Sequence, residues 1–461
     1  FFFRLLMRGE NVGIVAMDVY FPSQYVSQSE LEQFDQCIGK YTIGLGQERM
    51  AVCRDNEDVH SLAMSAVSLL LYKYNIKLED IGRLEVGTES MVDMSKSVKS
   101  VLMTLFQDSG NYDVEGVDSV NGCYGATNAI FNSVQWIESS FWDGRYALVV
   151  ATDCAIYSEG AARATGGCGA IALLLGSNAP LVLTPPRGNF MDHVYDFYKP
   201  TLRDHSYPIV DGYFSVSCYM KALHNCYLSF TKKYNEANPH KEPFSLLRDT
   251  DYVVFHSPYC KIVQKAFSRL ILYDTKQNIK AGSSDSLDKV QQQIIQEFGD
   301  LPMEEVYTRF TAEKDLMDMC EDLFQKYTAP SLYIPKQLGN LYTGSVYAAL
   351  LSLLVQIPEK KDIRILVFSY GSGCASSMFR VEVTDSTSIK DKIDLERRLD
   401  ARTTISPTEF LTTIKQLEAQ KLPGFIPQSS SESLQNKAFF LHHIDDKYRR
   451  FYQQNTKMIH K

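Results

Sequence analysis

The same order of buried elements occurs twice along this chain, with the same spacing in each half. In the first half, Cys123 opens an apolar helical run, and the strand after that run ends at Asp153, thirty residues later. In the second half, Asn340 opens a buried helix and the next strand leads to Tyr370, again after thirty residues. Uninterrupted apolar strands of this kind are typical of a sheet that is buried on both faces. Two halves with one element order predict a duplicated α/β fold with pseudo-twofold symmetry.

The predicted strands and helices alternate along the chain. The strands are predicted at residues 11–17, 83–88, 146–152, 170–175, 251–255 and 363–368. The helices are predicted at residues 60–74, after Cys123, at 216–234, after 339–345, at 395–399 and at 407–422. Residues 185–250 are richer in proline, tyrosine, histidine and charge, and are expected to hold connections and one helix.

The pattern also predicts how the chain is divided. Residues 11–184 are expected to form the half that carries Cys123. Residues 185–461 are expected to form the second half, with insertions and a C-terminal helical tail. Residues 1–10 carry two arginines and an apolar bias but no clear transit peptide, which favours a cytoplasmic location over a mitochondrial one.

Length, charge and cysteine usage exclude several classes of protein. A chain of 461 residues is long enough for one large duplicated architecture. Its net charge of −8 gives no electrostatic reason to expect nucleic acid or an anionic membrane as a partner. The ten cysteines form no CxxC pair, which argues against a zinc site and favours a reducing compartment. Residues 338–358 carry no charge over a membrane-spanning length, but their polar side chains favour a buried core helix.

Cys123 is the strongest candidate for a nucleophile. Small residues surround it in the segment 119–131, and an apolar helical run follows at once. This pattern predicts a tight turn that delivers the thiol to the first turn of a buried helix. The free N–H groups and the dipole of such a helix favour thiolate over thiol. The alternative is a small buried hydrophobic residue in a packed helix, as most free cysteines are.

Equivalent points of the two halves carry different polar residues. The strand ends bring Glu89 in one half and His256 in the other, and the helix starts bring Cys123 and Asn340. In a pseudo-symmetric pair these four side chains are expected to converge on one central pocket. Such a set suits acyl transfer to the thiol, proton abstraction by the carboxylate and stabilisation of an oxyanion. Taken singly, Glu89 could be a solvated loop residue and His256 a core histidine.

The chain resembles the eukaryotic-type 3-hydroxy-3-methylglutaryl-CoA (HMG-CoA) synthases, which are condensing enzymes of the thiolase fold. The resemblance runs from about Gly13 to Arg450 and is carried by residues 20–26, 39–47, 82–90, 121–127, 142–147, 195–200, 207–212, 255–261 and 368–373. It implies a five-layer αβαβα architecture and condensation of acetyl-CoA with acetoacetyl-CoA, which supplies isoprenoid and sterol biosynthesis.

The resemblance also implies roles for individual residues. Cys123 would carry the acetyl group, Glu89 would deprotonate its methyl, and His256 would position and polarise the acetoacetyl group. The remaining matches are Lys261 and Lys265 near the CoA phosphates, Thr165, Ser215, Asn340 and Ser372 against the substrates, and Asp93, Asp153 and Asp196 as acidic residues that support the site. The resemblance implies no metal and no cofactor, since the CoA thioesters are substrates, and it implies a homodimer.

The chain departs from the family pattern at five positions near this site. Gly122 replaces alanine, Ala126 replaces the second of two glycines, Ala161 replaces asparagine, Ala164 replaces proline, and Gly344 replaces serine. Ala126 is expected to narrow the space beside the thiol, and Ala161 to remove one hydrogen bond to substrate. Two alternatives stay open. One is a relative that uses an acyl-carrier protein in polyketide β-branching, although Lys261 and Lys265 favour CoA as the carrier. The other is a catalytically quiet acyl-CoA-binding protein.

Overall fold

A computed structural model describes residues 8–160, 162–200, 207–282, 287–302, 305, 312–359 and 361–456. Sixteen strands are formed within these ranges: β1 Gly13–Tyr20, β2 Gln24–Ser27, β3 Arg49–Val52, β4 Ile81–Gly87, β5 Asp118–Ser119, β6 Tyr146–Ala155, β7 Gly167–Gly176, β8 Leu181–Met191, β9 Phe197–Tyr198, β10 Ile209–Val210, β11 Tyr252–Phe255, β12 Ile363–Gly371, β13 Ala375–Val383, β14 Thr403–Ile405, β15 Phe439–Ile444 and β16 Arg450–Gln454.

The same ranges contain fifteen α-helices: α1 Gln28–Phe34, α2 Val59–Tyr74, α3 Val98–Leu102, α4 Gly125–Ile137, α5 Gly212–Ala237, α6 Leu246–Asp249, α7 Cys260–Lys280, α8 Lys289–Phe298, α9 Glu313–Met319, α10 Glu321–Tyr327, α11 Tyr333–Leu338, α12 Ser345–Gln356, α13 Thr387–Lys390, α14 Leu395–Asp400 and α15 Pro407–Ala419. Short 3₁₀ turns lie at Leu78–Asp80, Met103–Phe106, Arg163–Thr165, Ala329–Leu332, Tyr342–Gly344 and Ser431–Ser433.

Nine strands form one sheet in which the two halves repeat each other. The strand order is β11-β12-β13-β8-β1-β7-β6-β4-β5. Outward from the centre, the first half runs β1, β7, β6, β4 and the second half runs β8, β13, β12, β11. The first two contacts of each series are antiparallel and the third is parallel in both halves. The predicted duplication is therefore confirmed.

Helices cover each half of this sheet and meet at the centre. In the first half α2 packs against β1, β6 and β7, and α4 packs against β4, β6 and β7. In the second half α5 packs against β8, β12 and β13, and α12 packs against β11 and β12. The central helices are α4 and α12, and they touch where the hydroxyls of Thr127 on α4 and Tyr347 on α12 lie 2.7 Å apart. This arrangement agrees with the predicted α/β thiolase-like class.

The predicted strands and helices are all found, within a few residues at their ends, but two central strands were missed. The prediction of connections and one helix for residues 185–250 is wrong at its start, because β8 runs to Met191 and spans residue 184. Pro185 and Pro186 are atypical of a central strand, so the sequence did not predict β8. They fall at a break in the register between β8 and β13. Strand β13 was missed because small polar residues occupy buried positions in it, among them Ser376 and Ser377.

The C-terminal region is helical only in part. Helices α14 and α15 lie where the sequence predicts them, but the chain then returns as the hairpin β15–β16. Asp58, the N-cap of α2, accepts hydrogen bonds from Tyr452 Oη and Arg450 Nη1, each at 2.7 Å. These contacts bind the hairpin to α2, so the predicted helical tail also contains a β-hairpin that the sequence did not predict.

The uncharged segment 338–358 contains the buried helix α12, as predicted. Ten residues of α12 are buried, including Ser345 and Ser352. Ser352 is satisfied within the protein, since its hydroxyl donates to Ala348 O and accepts from Ile334 N. In the part of the chain that the structure describes, no helix is both long enough and apolar enough to cross a bilayer.

Gly344, where the family usually has serine, leaves room for a side chain. Its backbone is right-handed (φ −81°, ψ −17°), and an added Cβ would meet its nearest neighbour, on Ile171, at 3.4 Å. We expect Gly344→Ala to raise the free energy of unfolding by about 0.5–1 kcal/mol, because alanine restricts the unfolded chain. Urea denaturation measures this change.

The contrasting variant is Gly339→Ala, which should lower the free energy of unfolding, because the φ of Gly339 is +80° and a Cβ would lie 1.9 Å from Gly166 O. A loss of stability in Gly344→Ala would contradict this expectation.

Candidate active site

The thiol of Cys123 and the carboxyl of Glu89 form a hydrogen-bonded pair. Cys123 Sγ donates to Glu89 Oε1 at 2.9 Å. Strand β4 ends at Gly87, two residues before Glu89, and α4 begins two residues after Cys123. The thiol is 8% exposed and packs against Ala155 and Tyr342. The predicted convergence of these two residues is therefore present in the fold.

The protonation of this pair differs from the sequence-based expectation. Burial raises the pKa of the Cys123 thiol well above its usual value, and the Glu89 carboxylate raises it further. Burial also raises the pKa of Glu89, to about 7. The predicted thiolate is thus wrong for the resting site, since Cys123 precedes α4 and faces a carboxylate. The geometry instead supplies a thiol whose proton acceptor is in direct contact.

Asp153 anchors the backbone that presents Glu89. It is fully buried at the end of β6, and its Oδ1 accepts from Glu89 N at 2.9 Å, Thr88 Oγ1 at 3.0 Å and Ser90 Oγ at 2.9 Å. Its Oδ2 accepts from Thr343 N at 3.0 Å and from the Thr343 hydroxyl. One carboxylate therefore joins the loop of the first half to the central turn of the second.

Asp196 plays a similar role on the side of the second half. It is fully buried, and its Oδ2 accepts from Tyr370 Oη at 2.8 Å and Ser215 Oγ at 3.3 Å. Its Oδ1 accepts from Gly373 N at 2.9 Å. The proximity of Asp196 contributes to the raised pKa of Glu89. The predicted residues Asp196 and Ser215 thus lie together, near the Cys123–Glu89 pair.

Ser372 meets the Cys123 turn through its backbone. Asn121 Nδ2 donates to Ser372 O at 3.2 Å. Gly122 has a φ of +50°, and a Cβ there would lie 2.9 Å from Ser372 O and 3.0 Å from Ser372 N. Glycine at 122 therefore allows the turns of the two halves to approach closely.

Three aromatic rings line the space beside the thiol. Tyr157, Phe197 and Tyr342 lie edge to face, with ring centroids 5.9–6.4 Å apart. Lys199 Nζ lies 4.8 Å from the ring centroid of Tyr342 and donates to Glu89 O at 2.8 Å. The polar groups of this aromatic wall are two phenol hydroxyls, of Tyr157 and Tyr342, and the Lys199 ammonium.

His256 and Asn340 are buried at the matching points of the second half. His256 is 2% exposed, and its backbone N–H donates to Phe368 O at 2.8 Å. Burial lowers the pKa of its imidazole to about 3. Its Nδ1 is buried without a hydrogen bond in the described part of the chain. Asn340 Oδ1 accepts from Tyr342 N at 2.8 Å and Ser345 Oγ at 2.7 Å. No direct bond joins either side chain to Cys123 or Glu89 among the described residues.

The other predicted contact residues, Thr165, Lys261 and Lys265, are held by bonds to their own neighbours. Thr165 hydrogen-bonds Ala162 O at 2.7 Å. Lys261 and Lys265 lie on the first turns of α7, where Lys261 Nζ donates to Gln264 Oε1 at 2.7 Å. Lys265 Nζ pairs with Glu313 Oε2 at 2.7 Å, so its charge is already partly compensated.

Asp93 and two of the substituted positions stand apart from the pair. Asp93 is exposed and accepts from Ser95 N and Lys96 N, each at 2.7 Å, so it stabilises its own loop. Ala126 packs in the main core, in a different group of side chains from Cys123, so its methyl does not narrow the space beside the thiol as expected. Ala161 lies outside the described residues.

Sequence reasoning missed three residues that shape this site: Tyr157, Lys199 and Thr343. Lys199 and Thr343 both lie in segments that already carried a signal, residues 195–200 and the turn that matches 121–127. A search of those segments for polar residues would have found both. Nothing in the local sequence distinguishes Tyr157 from the other 26 tyrosines.

Two family models match the chain one after the other. The model described as hydroxymethylglutaryl-coenzyme A synthase N terminal matches residues 8–180. The model described as hydroxymethylglutaryl-coenzyme A synthase C terminal matches residues 182–455. Together they account for nearly the whole chain.

Individual relatives agree with these family models. The cytoplasmic hydroxymethylglutaryl-CoA synthase of Mus musculus is 47% identical over 460 residues, covering 96% of this chain and 87% of the relative. A hydroxymethylglutaryl-CoA synthase of Aspergillus fumigatus is 45% identical over 462 residues, covering 97% and 99%. Among solved structures, MvaS in complex with 3-hydroxy-3-methylglutaryl coenzyme A is 29% identical with a TM-score of 0.81, covering 98% of this chain and all of that one.

Proposed function

Because this chain belongs to the hydroxymethylglutaryl-CoA synthase family, we infer that it condenses acetyl-CoA with acetoacetyl-CoA and water to give HMG-CoA and free CoA. The observation that carries this inference is the Cys123 thiol in direct hydrogen bond with the Glu89 carboxyl. The pair combines a nucleophile for acyl transfer with a base whose pKa, about 7, suits proton transfer near neutral pH.

The first step is transfer of the acetyl group. Glu89 accepts the thiol proton, and the Cys123 sulfur attacks the carbonyl carbon of acetyl-CoA. The carbon–sulfur bond to CoA breaks, and CoA leaves as a thiol with the proton that Glu89 held. One thioester replaces another, so little free energy is lost, and the acetyl group now lies beside Glu89.

The second step forms the carbon–carbon bond. Glu89 removes a proton from the methyl of the acetyl group, and the resulting carbanion attacks the ketone carbon of acetoacetyl-CoA. The π electrons of the ketone move to its oxygen, which becomes the hydroxyl of the product by taking up the proton that Glu89 removed. We assign polarisation of the ketone oxygen to His256. A pKa of about 3 keeps its imidazole neutral at pH 7, so it acts as a hydrogen-bond donor rather than as a cation. The buried Nδ1 without a partner supports a contact with substrate.

The last step is hydrolysis. Water attacks the Cys123 thioester, which releases the new carboxylate of HMG-CoA and returns the free thiol. The C–S bond breaks as the C–O bond forms; the cysteine sulfur takes up one proton of the water, and the other is released to solvent.

Further features of the enzyme follow from the same family. We propose that Lys261, which lies on the first turn of α7, meets the CoA phosphates and that Thr165, Ser215, Asn340 and Ser372 contact the substrates. The name of the mouse relative supports a cytoplasmic location. We propose that the product supplies isoprenoid biosynthesis through the mevalonate pathway. We also propose a homodimer; size-exclusion chromatography with light scattering measures its mass.

Labelled acetyl-CoA tests the first step directly. We expect the label on the peptide that contains Cys123, by mass spectrometry, and its transfer to HMG-CoA once acetoacetyl-CoA is added. Cys123→Ser should take up no label as a stable thioester. The matched control Cys37→Ser, at a partly exposed cysteine, should behave like the unmodified enzyme. Product formation by a Cys123→Ser variant at the original rate would overturn the mechanism.

A further inference from the structure

Lys199 lies where it acts on both members of the catalytic pair. It follows β9 within the segment 195–200, and its Nζ donates to Glu89 O at 2.8 Å. The same Nζ lies 4.8 Å from the Tyr342 ring centroid and 6.0 Å from that of Phe197. A lysine held by a carbonyl on one side and two aromatic faces on the other has little freedom to leave this position.

Its charge opposes the effects that otherwise keep the pair protonated. Burial and neighbouring carboxylates raise the pKa of Cys123 and Glu89, whereas the Lys199 ammonium lowers the pKa of each. It also lowers the pKa of Asp153, which holds the backbone of Glu89. Beside the buried thiol of Cys123 such a charge acts more strongly than it would in solvent.

Several other titratable groups face this pair. They are Asp153 on β6, Asp196 before β9, the phenols of Tyr157 and Tyr342, and, facing Lys199 itself, Lys421 after α15. Burial raises the pKa of both phenols, and the pKa of His256 is about 3. The phenols and His256 therefore stay neutral around pH 7, where Glu89 ionises.

We propose that Lys199 is a positioning residue of this site, which holds the backbone of Glu89 and places a positive charge beside the Glu89–Cys123 pair. It helps the carboxylate and the thiolate to form in turn without touching the reacting atoms. This inference rests on the roles proposed above for Glu89 and Cys123, and it assigns the electrostatic part of their work to a third residue.

Three variants of Lys199 separate charge from packing. Lys199→Met removes the charge, Lys199→Arg keeps it, and Lys199→Gln is a second neutral variant in case the methionine variant does not fold. In the pH profile of kcat/KM, the acid limb is the fall in activity at low pH. We expect the midpoint of this limb to move up by about one pH unit in the neutral variants. The pH at which iodoacetamide alkylates Cys123, followed by mass spectrometry, should rise in the same variants. Lys199→Arg should restore both profiles.

The control is Lys233→Met. Lys233 also donates to a backbone carbonyl, Arg187 O at 2.8 Å, but on the exposed side of α5. Both profiles should be unchanged in this variant. Neutral variants of Lys199 that fold and keep both profiles would overturn the proposal. The alkylation measurement needs no turnover, so it decides the role of Lys199 even when labelled acetyl-CoA fails to acetylate Cys123, which would instead refute the proposed function.

Discussion

The Glu89→Gln variant is expected to lose condensation by about 10²- to 10⁴-fold, because it removes the group that takes the proton from the acetyl methyl. Glutamine has nearly the same shape and can still hydrogen-bond the Cys123 sulfur, so the site should keep its geometry. Acetyl transfer to Cys123 should continue at alkaline pH, and the label should then stay on the cysteine after acetoacetyl-CoA is added. Stopped turnover with a persistent acetyl-enzyme is the expected result.

Two pH measurements sharpen this expectation. In the unmodified enzyme, kcat/KM should fall as the pH drops through about 7, because Glu89 becomes protonated and cannot accept a proton. The residual rate of Glu89→Gln should lack this limb. The Glu89 carboxylate raises the pKa of Cys123, so its removal should lower the pH at which iodoacetamide alkylates that thiol.

A surface glutamate provides the matched control for this variant. Glu115 accepts a hydrogen bond from Trp136 Nε1 at 3.0 Å on the outer side of the first half. Glu115→Gln should leave turnover, the acid limb and the alkylation profile unchanged. Full turnover by Glu89→Gln would refute the assignment of the base.

The Asp153→Ala variant is expected to lose about 3–5 kcal/mol of the free energy of unfolding. Asp153 is fully buried and accepts five hydrogen bonds, from Thr88, Glu89, Ser90 and twice from Thr343. Alanine leaves Thr88 Oγ1, Glu89 N and Thr343 N without this acceptor, whereas the Thr343 hydroxyl keeps a second one in Gly87 O at 2.9 Å. Because Glu89 N is among the donors that lose their acceptor, kcat should fall as well. Denaturation in urea at constant pH measures the loss of stability.

Two comparison variants separate the causes. Asp153→Asn keeps one acceptor oxygen and the side-chain volume, so its loss should be smaller than that of alanine. Asp394→Ala breaks an exposed ion pair with Arg397 and should leave stability near that of the unmodified enzyme. A fully stable Asp153→Ala variant would show that these five bonds do not hold the site together.

Local patterns were enough to predict most of the sheet. The strands 146–152 and 363–368 are continuous apolar runs bounded by polar turns. Such runs predict a buried strand even when the strands that pair with them are unknown. Strand β8 could not be found this way, because Pro185 and Pro186 are tolerated there only by a break in its register with β13. That tolerance belongs to the pairing of two strands and not to the segment itself.

The candidate site divides along the same line. Cys123 and Glu89 follow from turns and strand ends that can be read locally, and their pairing follows from the repeat of the two halves. The protonation of Cys123 does not, because the thiolate expected from a nearby helix start is opposed by burial and by Glu89. Asp93 matches a supporting residue by pattern, but the structure places it on an exposed loop.

By itself, the sequence determined the duplicated α/β order and singled out Cys123 and Glu89 as candidates for one site, because hydrophobic period and turn chemistry act over a few residues. Only the tertiary structure decided which groups set the chemistry of that pair. Asp153 joins Glu89 and Thr343, from which it is separated by 64 and 190 residues, and Lys199 reaches Glu89 across 110. Burial and charge at one point depend on every segment that packs there, and no local pattern contains that information.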